Sequence, residues 1–489
     1  MIPILGSAQA RAFDRFVAER CALPSLLLME NAGRNAAQAV HERVPAASRV
    51  LCLCGTGNNG GDGFVVARQL LRLGHTVRVV LLGRVEQVAG EARVNLDAWR
   101  GLGGPLLELD GDAGVRAQLL ALWDATDAIV DALFGTGLSR ELTGRFRAAV
   151  DSINASGRRV LSLDLPSGMH ADRGVPLGVA VRAHVTITFG HPKPGLLTSL
   201  GADLAGEIVL ADLGVPRDLG PAREPRAHWL EPSDAASWLP ARSPSAHKGS
   251  AGRVLVVAGS AGKTGAALLA SGAALRAGAG LVTVCTFADA AHALDLRVVE
   301  VMTEALDPER PLLALERMLD GADAVVVGPG LGFSAGARTI IDHVVLKWPG
   351  PKLVDADAIS AFAGRARELS AAAIEADRFT ALEQALELTG QGILLKGPHT
   401  LLGEPGSAPW VVSEGHPVLA SGGSGDALAG IIGALLVHLP RLRAGALGAL
   451  LHGRAARLWV EAHGDVDRGL WAREIADLVP DALAALRRH

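Results

Sequence analysis

The chain has no tyrosine, and aromatic residues make up only 4% of its 489 positions. No tyrosyl hydroxyl is therefore available as a catalytic acid. An excess of positive charge is also lacking: 47 Lys and Arg stand against 51 Asp and Glu, giving a net charge of −4 and a pI near 6.4. That balance leaves no basic footprint for nucleic acid, so any phosphate must be gripped locally, by backbone and a few cations. Cysteine is scarce, with Cys21, Cys52, Cys54 and Cys285 and no Cys-x-x-Cys spacing. Cys52 and Cys54 fall on one face of a strand and are poorly placed to bridge each other, so reduced core residues are expected and a metal site built from them is not. The N-terminus, Met1-Ile-Pro-Ile-Leu-Gly-Ser, has no charged region followed by a long apolar core, and the most apolar segment, Ala427 to Val437, is too short to span a bilayer. The expected setting is cytoplasmic, with no membrane partner.

What the chain does have is small residues. Glycine occurs 59 times and hydrophobic residues make up 49%, a composition that favours close packing of helices on sheets. The length suits two α/β domains of about 220 to 260 residues better than one core. The pattern lapses after Gly214-Val-Pro216 into Arg217-Asp-Leu-Gly-Pro-Ala-Arg-Glu-Pro225, a Pro-rich, charged stretch without periodicity. This predicts one domain over residues 1–217 and a second over 228–489.

The most informative stretch is Cys54-Gly-Thr-Gly-Asn-Asn-Gly-Gly-Asp-Gly63, directly after the strand-like run Val50-Leu-Cys-Leu53. Gly55, Gly57 and Gly60 form Gly-x-Gly-x-x-Gly where a strand turns into a helix, so backbone N–H groups and the helix dipole can cradle an anion. An ordinary dinucleotide site wants an acidic residue at the end of the next strand, but that strand, Thr76 to Leu82, ends in Gly83-Arg84. Asn58, Asn59 and Asp62 suit a polar ligand and a hard cation better than a plain pyrophosphate grip. Downstream, Val130-Asp-Ala-Leu-Phe-Gly-Thr-Gly137 and Leu163-Asp-Leu-Pro-Ser-Gly168 each place an Asp at the end of an apolar run. An isolated Asp there is commonly a turn or cap residue. Three such loops on one edge of a parallel sheet instead bring Asn59, Asp131, Asp164 and Ser167 to one crevice.

With Leu28-Met-Glu-Asn-Ala-Gly33 ahead and Thr186-Ile-Thr-Phe189, Lys193 and Gly195 behind, residues 1 to about 217 resemble the NAD(P)H-hydrate epimerase domain, a Rossmann-like fold. The resemblance implies a potassium ion held by Asn59, Asp131 and Ser167. It implies a hydrate of NADH or NADPH held by Asn58, Asn59, Gly60, Gly61 and Asp62, by Gly135, Thr136, Gly137, Leu138, Ser139, Arg140 and Glu141, and by Asp164. The implied reaction interconverts the R and S hydrates, with Asp164 moving the proton.

The second half opens with Ala246-His-Lys-Gly249 and Gly252-Arg-Val-Leu-Val-Val-Ala-Gly-Ser-Ala-Gly-Lys-Thr-Gly265. Gly262-Lys263-Thr264 is no Walker A loop, because position 257 is Val where that motif needs Gly. Ala420-Ser-Gly-Gly-Ser-Gly-Asp-Ala-Leu-Ala-Gly430 is the stronger signal. Its glycines let N–H groups approach an anion at a helix N-terminus, and Asp426 is placed to take a proton from a hydroxyl, which suits phosphoryl transfer to an alcohol. The bland alternative is a glycine turn with Asp in the first helical turn. Gly328-Pro-Gly-Leu-Gly332, Val354-Asp-Ala-Asp-Ala358 and Leu395-Lys-Gly-Pro-His-Thr400 also close apolar runs.

Residues 228–489 resemble the ribokinase-like fold and, within it, the ADP-dependent NAD(P)H-hydrate dehydratase domain. The resemblance implies ADP binding by Lys396, Gly397, Pro398, His399 and Thr400 and the Gly425 backbone, with Gly332 and Asp426 at the hydrate and magnesium on the phosphates. Phosphorylating the hydroxyl turns a poor leaving group into a good one. One departure stands out: the family's strand ending in Thr-Pro-His-Pro-Gly-Glu has no counterpart between Ile359 and Thr389, which reads as helix. Smaller departures are His416, Val418 and Val299. The expectation is thus an α/β protein of two three-layer domains, a bifunctional and homo-oligomeric repair enzyme. Two alternatives stay open: an epimerase with a degenerate C-terminal partner, or a binding module fused to a small-alcohol kinase.

Overall fold

A computed structural model describes residues 1–112, 114–239, 241–362 and 371–488, with side chains omitted at 371–373. Two compact units result, one comprising Ile2–His228 with Ala371–Ala381, the other Trp229–Ser370 and Leu382–His489 with Met1.

In the first unit the apolar runs become seven parallel strands: β1 (Arg49–Cys54), β2 (Thr76–Leu81), β3 (Leu106–Glu108), β4 (Ala128–Ala132), β5 (Arg159–Leu163), β6 (Val185–Phe189) and β7 (Glu207–Ala211). Their order is β3-β2-β1-β4-β5-β6-β7. The chain winds outward in one direction from β1 and in the other from β4, so the loops after these two strands flank the switch point where ligands bind. Helices α1 (Ser7–Arg20), α2 (Ser25–His41), α3 (Asn58–Arg72), α4 (Gly90–Gly101), α5 (Val115–Trp123) and α6 (Gly144–Ala155) complete the frame. Strand alternation divides β1 cleanly. Val50, Cys52 and Cys54 face a core with Phe64, Val66 and Leu70 of α3, while Leu51 and Leu53 face Leu119, Val150 and Ile153 of α5 and α6. This is a sheet between two helical layers, the Rossmann-like arrangement. All four cysteines are free thiols, and burial pushes that of Cys52 up to about 12.

The glycine loop works by contact as well as by exposed N–H groups. A Cβ on Gly60 would lie 1.9 Å from the Gly55 carbonyl oxygen, and one on Gly55 would lie 2.2 Å from that of Leu133. Neither oxygen can yield without breaking the strand-to-helix turn. Gly60→Ala should therefore cost roughly 1–3 kcal/mol or more through overpacking, read as a lowered thermal midpoint for the N-terminal unit. An unchanged midpoint would show that the loop yields readily.

The second unit repeats the plan with five parallel strands, β8 (Arg253–Val257), β9 (Leu281–Phe287), β10 (Met302–Leu306), β11 (Ala324–Val327) and β12 (Lys352–Val354), ordered β10-β9-β8-β11-β12. On one face pack α7 (Thr264–Arg276), α9 (Ser424–Leu435), α10 (Arg441–His463) and α11 (Ala472–Leu486). On the other packs α8 (Ala335–Leu346). Three short strands, β13 (Ile393–Leu395), β14 (Thr400–Gly403) and β15 (Trp410–Val412), pair antiparallel. Between residues 359 and 389 the described residues are helices and connections, with no strand. The reading of that whole stretch as strand-free includes 363–370, which lie outside the described residues. No described helix is long and apolar enough to cross a membrane.

Candidate functional sites

In the first unit, the sequence-predicted residues come together past the ends of β1, β4 and β5. Asp131 is the last residue but one of β4 and is fully buried. Its Oδ1 accepts from Ser167 Oγ at 2.6 Å and the Leu133 N–H at 3.3 Å, and its Oδ2 from Ser162 Oγ at 2.8 Å and the Ser167 N–H at 2.9 Å. Burial raises its carboxyl above the usual range, while hydrogen bonds from the two serines and Leu133 work the other way. No Lys or Arg pairs with it among the described residues. Asn59, buried in the first turn of α3, has both side-chain polar atoms without a partner among the described residues. Buried polar atoms are normally satisfied. A buried carboxylate without a cationic partner and, past the end of the adjacent strand, an amide without a partner form a donor set that a bound cation would complete.

Asp164 follows β5 with φ of +64°, a left-handed conformation uncommon outside glycine. That twist turns its side chain back toward the switch point. Its Oδ1 accepts from Lys193 Nζ at 2.5 Å and its Oδ2 from the Thr136 N–H at 3.1 Å. Lys193 is itself buried and also donates to Thr188 Oγ1 and the Phe189 carbonyl. A Cβ on Gly135 would meet Asp164 Oδ2 at 2.7 Å and Asn59 Cγ at 3.5 Å, so Gly135 lets the two side chains approach. Burial pushes the Asp62 carboxyl well above the usual range; Asp164 and Asp14 reinforce this and Lys193 opposes it. Asn58 and Gly137 are exposed, as are Ser139, Arg140 and Glu141, whereas Gly60, Gly61 and Asp62 are buried. The crevice thus has a fixed wall and an open one. Lys193, quoted in the sequence only within the family resemblance and without a role, proves to be the anchor of Asp164.

In the second unit, Lys396 Nζ donates to both oxygens of Asp355 at 2.9 Å. It also lies 3.2 Å from where a Cβ on Gly425 would sit, so these two nucleotide candidates meet. Gly397 and Pro398 lead to His399, whose Nδ1 is 2.8 Å from Ser413 Oγ, and Thr400 opens β14. The Gly332 N–H donates to Asp357 Oδ2 at 2.8 Å, and the same oxygen receives Lys263 Nζ at 3.2 Å. Asp426 lies in the first turn of α9. Its carboxyl is raised by burial first and then by Asp355 and Asp357, with Lys396 opposing. Buried His452 holds the Ser424 carbonyl from Nε2 at 2.9 Å, and burial pushes it down to about 4, the mark of a neutral positioning histidine. Asp355, quoted in the sequence only as the end of a run, proves to be the anchor of Lys396.

Two parallel sheets, each presenting acidic side chains and a glycine turn at its switch point, define a two-site α/β protein of the class that holds small anionic molecules at strand ends. Residues 25–195 match the family model described as YjeF-related protein N-terminus, and residues 254–480 match that of NAD(P)H-hydrate dehydratase. The bifunctional NAD(P)H-hydrate repair enzyme Nnr of Moorella thermoacetica is 36% identical, covering 99% of this chain and 97% of its own. The enzyme of that name from Escherichia coli is 33% identical over 95% and 91%. Among solved structures, the ADP/ATP-dependent NAD(P)H-hydrate dehydratase of Bacillus subtilis, co-crystallised with ATP and magnesium, is 26% identical with a TM-score of 0.46. It covers 53% of this chain and 99% of its own. The chain belongs to the bifunctional NAD(P)H-hydrate repair enzyme family.

Proposed function

We propose that this protein returns damaged reduced nicotinamide dinucleotides to use. Residues 1–217 exchange the R and S hydrates of NADH and NADPH, and residues 228–489, the ribokinase-like half, dehydrate the S form at the expense of ADP. The observation that carries the first activity is the Asp164 carboxylate, held by Lys193 on one oxygen and by the Thr136 N–H on the other. A base needs its lone pairs aimed and its charge tolerated, and the ammonium and the Thr136 N–H supply both. Asn58 to Asp62 and Gly135 to Glu141 would bind the hydrate between them.

Asn59, Asp131 and Ser167 fit a potassium ion by donor chemistry: oxygens only, one unbalanced charge, and an amide without a partner. When bound, potassium neutralises that charge and fixes the Asn59 amide next to the substrate loop. Asp131→Ala should strand the Ser162 hydroxyl and the N–H groups of Leu133 and Ser167, each buried unpaired group costing about 1–3 kcal/mol, while the Ser167 hydroxyl keeps the Phe134 carbonyl. The parent should melt higher in potassium than in choline chloride, and the variant should lose that difference. Stoichiometric zinc in metal analysis would remove the potassium reading.

In the second half, Lys396 and the Gly425 backbone would hold ADP, with Gly332 and Asp426 at the hydrate. Asp355 and Asp357 are already engaged by Lys396, Lys263 and the Gly332 N–H. Magnesium therefore fits as an ion carried on the nucleotide phosphates, not as one caged by protein. Incubation with ADP, magnesium and mixed NADH hydrates should restore nicotinamide absorbance. A second reading, an epimerase with an inactive C-terminal partner, is favoured by one observation, the missing Thr-Pro-His-Pro-Gly-Glu segment. A cytoplasmic, homo-oligomeric protein completes the proposal.

A further inference from the structure

Gly83-Arg84, at the end of β2, takes the place where a dinucleotide fold keeps an acidic residue for the ribose. The frame around it is still that of a dinucleotide fold. Its strand order, β3-β2-β1-β4-β5-β6, is the one in which such ligands lie across the switch point, one nucleotide over each half of the sheet. Asp164, past the end of β5, fixes the hydrate ring over one half. The pyrophosphate then falls on α3, a 15-residue helix whose N-cap is Gly57 and whose first N–H groups no side chain caps. From β5 to β2 is three strand spacings, roughly 14 Å, a span that an extended dinucleotide covers. The adenosine ribose arrives at the end of β2.

There the two loops touch. The Leu82 N–H donates to the Cys54 carbonyl at 2.9 Å, and a Cβ on Gly83 would lie 2.6 Å from Thr56 Cγ2, so Gly83 sits against the glycine loop itself. Arg84 follows, its backbone N–H held by Gln87 Oε1 at 2.9 Å. Its side chain is 65% exposed. Nε donates to Asp110 Oδ2, beyond β3, and neither Nη group has an acceptor among the described residues.

We propose, on the epimerase reading, that Arg84 is a specificity-determining residue of that site, receiving the 2′-phosphate of the NADPH hydrate and favouring it over the NADH hydrate. A ribose 2′-hydroxyl wants an acceptor, which a carboxylate at this position would supply. A 2′-phosphate brings negative charge of its own and wants a guanidinium, whose forked donors match phosphate oxygens. Position 84 offers the second and not the first. The Asp110 carboxylate holds the guanidinium through Nε and leaves the Nη donors for the ligand. An exposed ion pair of this kind contributes little to folding, so the side chain can be replaced without unfolding the chain.

The test follows R to S exchange of the two hydrates separately, without ADP, in parent, Arg84→Gln, Arg84→Lys and Asp110→Asn. The parent should show the lower KM for NADPH hydrate. In Arg84→Gln the ratio of kcat/KM for NADPH hydrate to that for NADH hydrate should fall by about 10- to 100-fold, through KM, the worth of hydrogen bonds to a charged group. Arg84→Lys keeps the charge and loses the fork, and should keep part of the preference. Asp110→Asn should widen it, because the guanidinium is relieved of a competing anion. In the parent, adenosine 2′,5′-bisphosphate should inhibit exchange at lower concentration than AMP, and Arg84→Gln should abolish that difference. A parent without preference, a preference that survives in Arg84→Gln, or its loss in Asp110→Asn, which would make the pair a mere brace between loops, overturns the assignment and leaves the epimerase reading intact. A parent chain that exchanges neither hydrate overturns both.

Discussion

Asp164→Asn should fold as the parent does and exchange hydrate epimers more slowly by about 10²- to 10⁴-fold, the usual worth of a general base. The substitution keeps the shape of the side chain and removes its ability to hold a proton. It is also one of the few replacements the backbone accepts, because φ at 164 is +64° and Asn tolerates the left-handed region. The loss should appear in the rate of exchange at saturating hydrate, with the thermal midpoint retained. Lys193 would then face a neutral amide instead of its partner at 2.5 Å, so a modest loss of stability is allowed and a collapse is not. Exchange at the parental rate would make Asp164 a structural turn residue and leave Asp62 as the next candidate.

The second large effect belongs to Asp426. In the presence of S-hydrate, ADP and magnesium, Asp426→Asn should lower restoration of reduced nicotinamide by about 10²- to 10⁴-fold while ADP still binds. The raised carboxyl of Asp426, caused mainly by burial and then by Asp355 and Asp357, fits a group that exchanges a proton and not one fixed as a permanent anion. Because Lys396 and the Gly425 backbone are untouched, nucleotide binding is the internal control. If the parent itself binds ADP and restores nothing, the C-terminal half is a degenerate partner and the chain is an epimerase alone.

Much of the layout of both candidate sites was legible because a parallel sheet converts linear order into neighbourhood. Each apolar run ends in a loop on the same edge, so Asn59, Asp131 and Asp164, far apart in sequence, had to meet. The glycine loops were legible for the same local reason, since a strand-to-helix turn leaves its mark within ten residues. What escaped was placed by tertiary packing. Helix α1 comes up to the Thr136 loop through contacts such as Leu5 to Pro192, Phe13 to His191 and Arg11 to the Thr136 carbonyl, and no periodicity within α1 announces them. Lys193 sits after a strand, as many surface lysines do, and only its burial distinguishes it. That the Asn59 amide has no partner among the described residues was likewise invisible, because sequence supplies the amide and not its surroundings.

The two walls of the epimerase crevice face different evolutionary futures. One holds Gly55 and Gly60, where a side chain would run into backbone carbonyl oxygens, with buried Asn59 and Asp62 between and beyond them. The other carries Ser139, Arg140 and Glu141 on the surface, where substitutions meet little but water. Natural variation in which dinucleotide is preferred, or a directed library seeking a new one, should therefore accumulate on Arg84 and residues 137–141 and bypass Gly55, Asn59, Gly60 and Asp62.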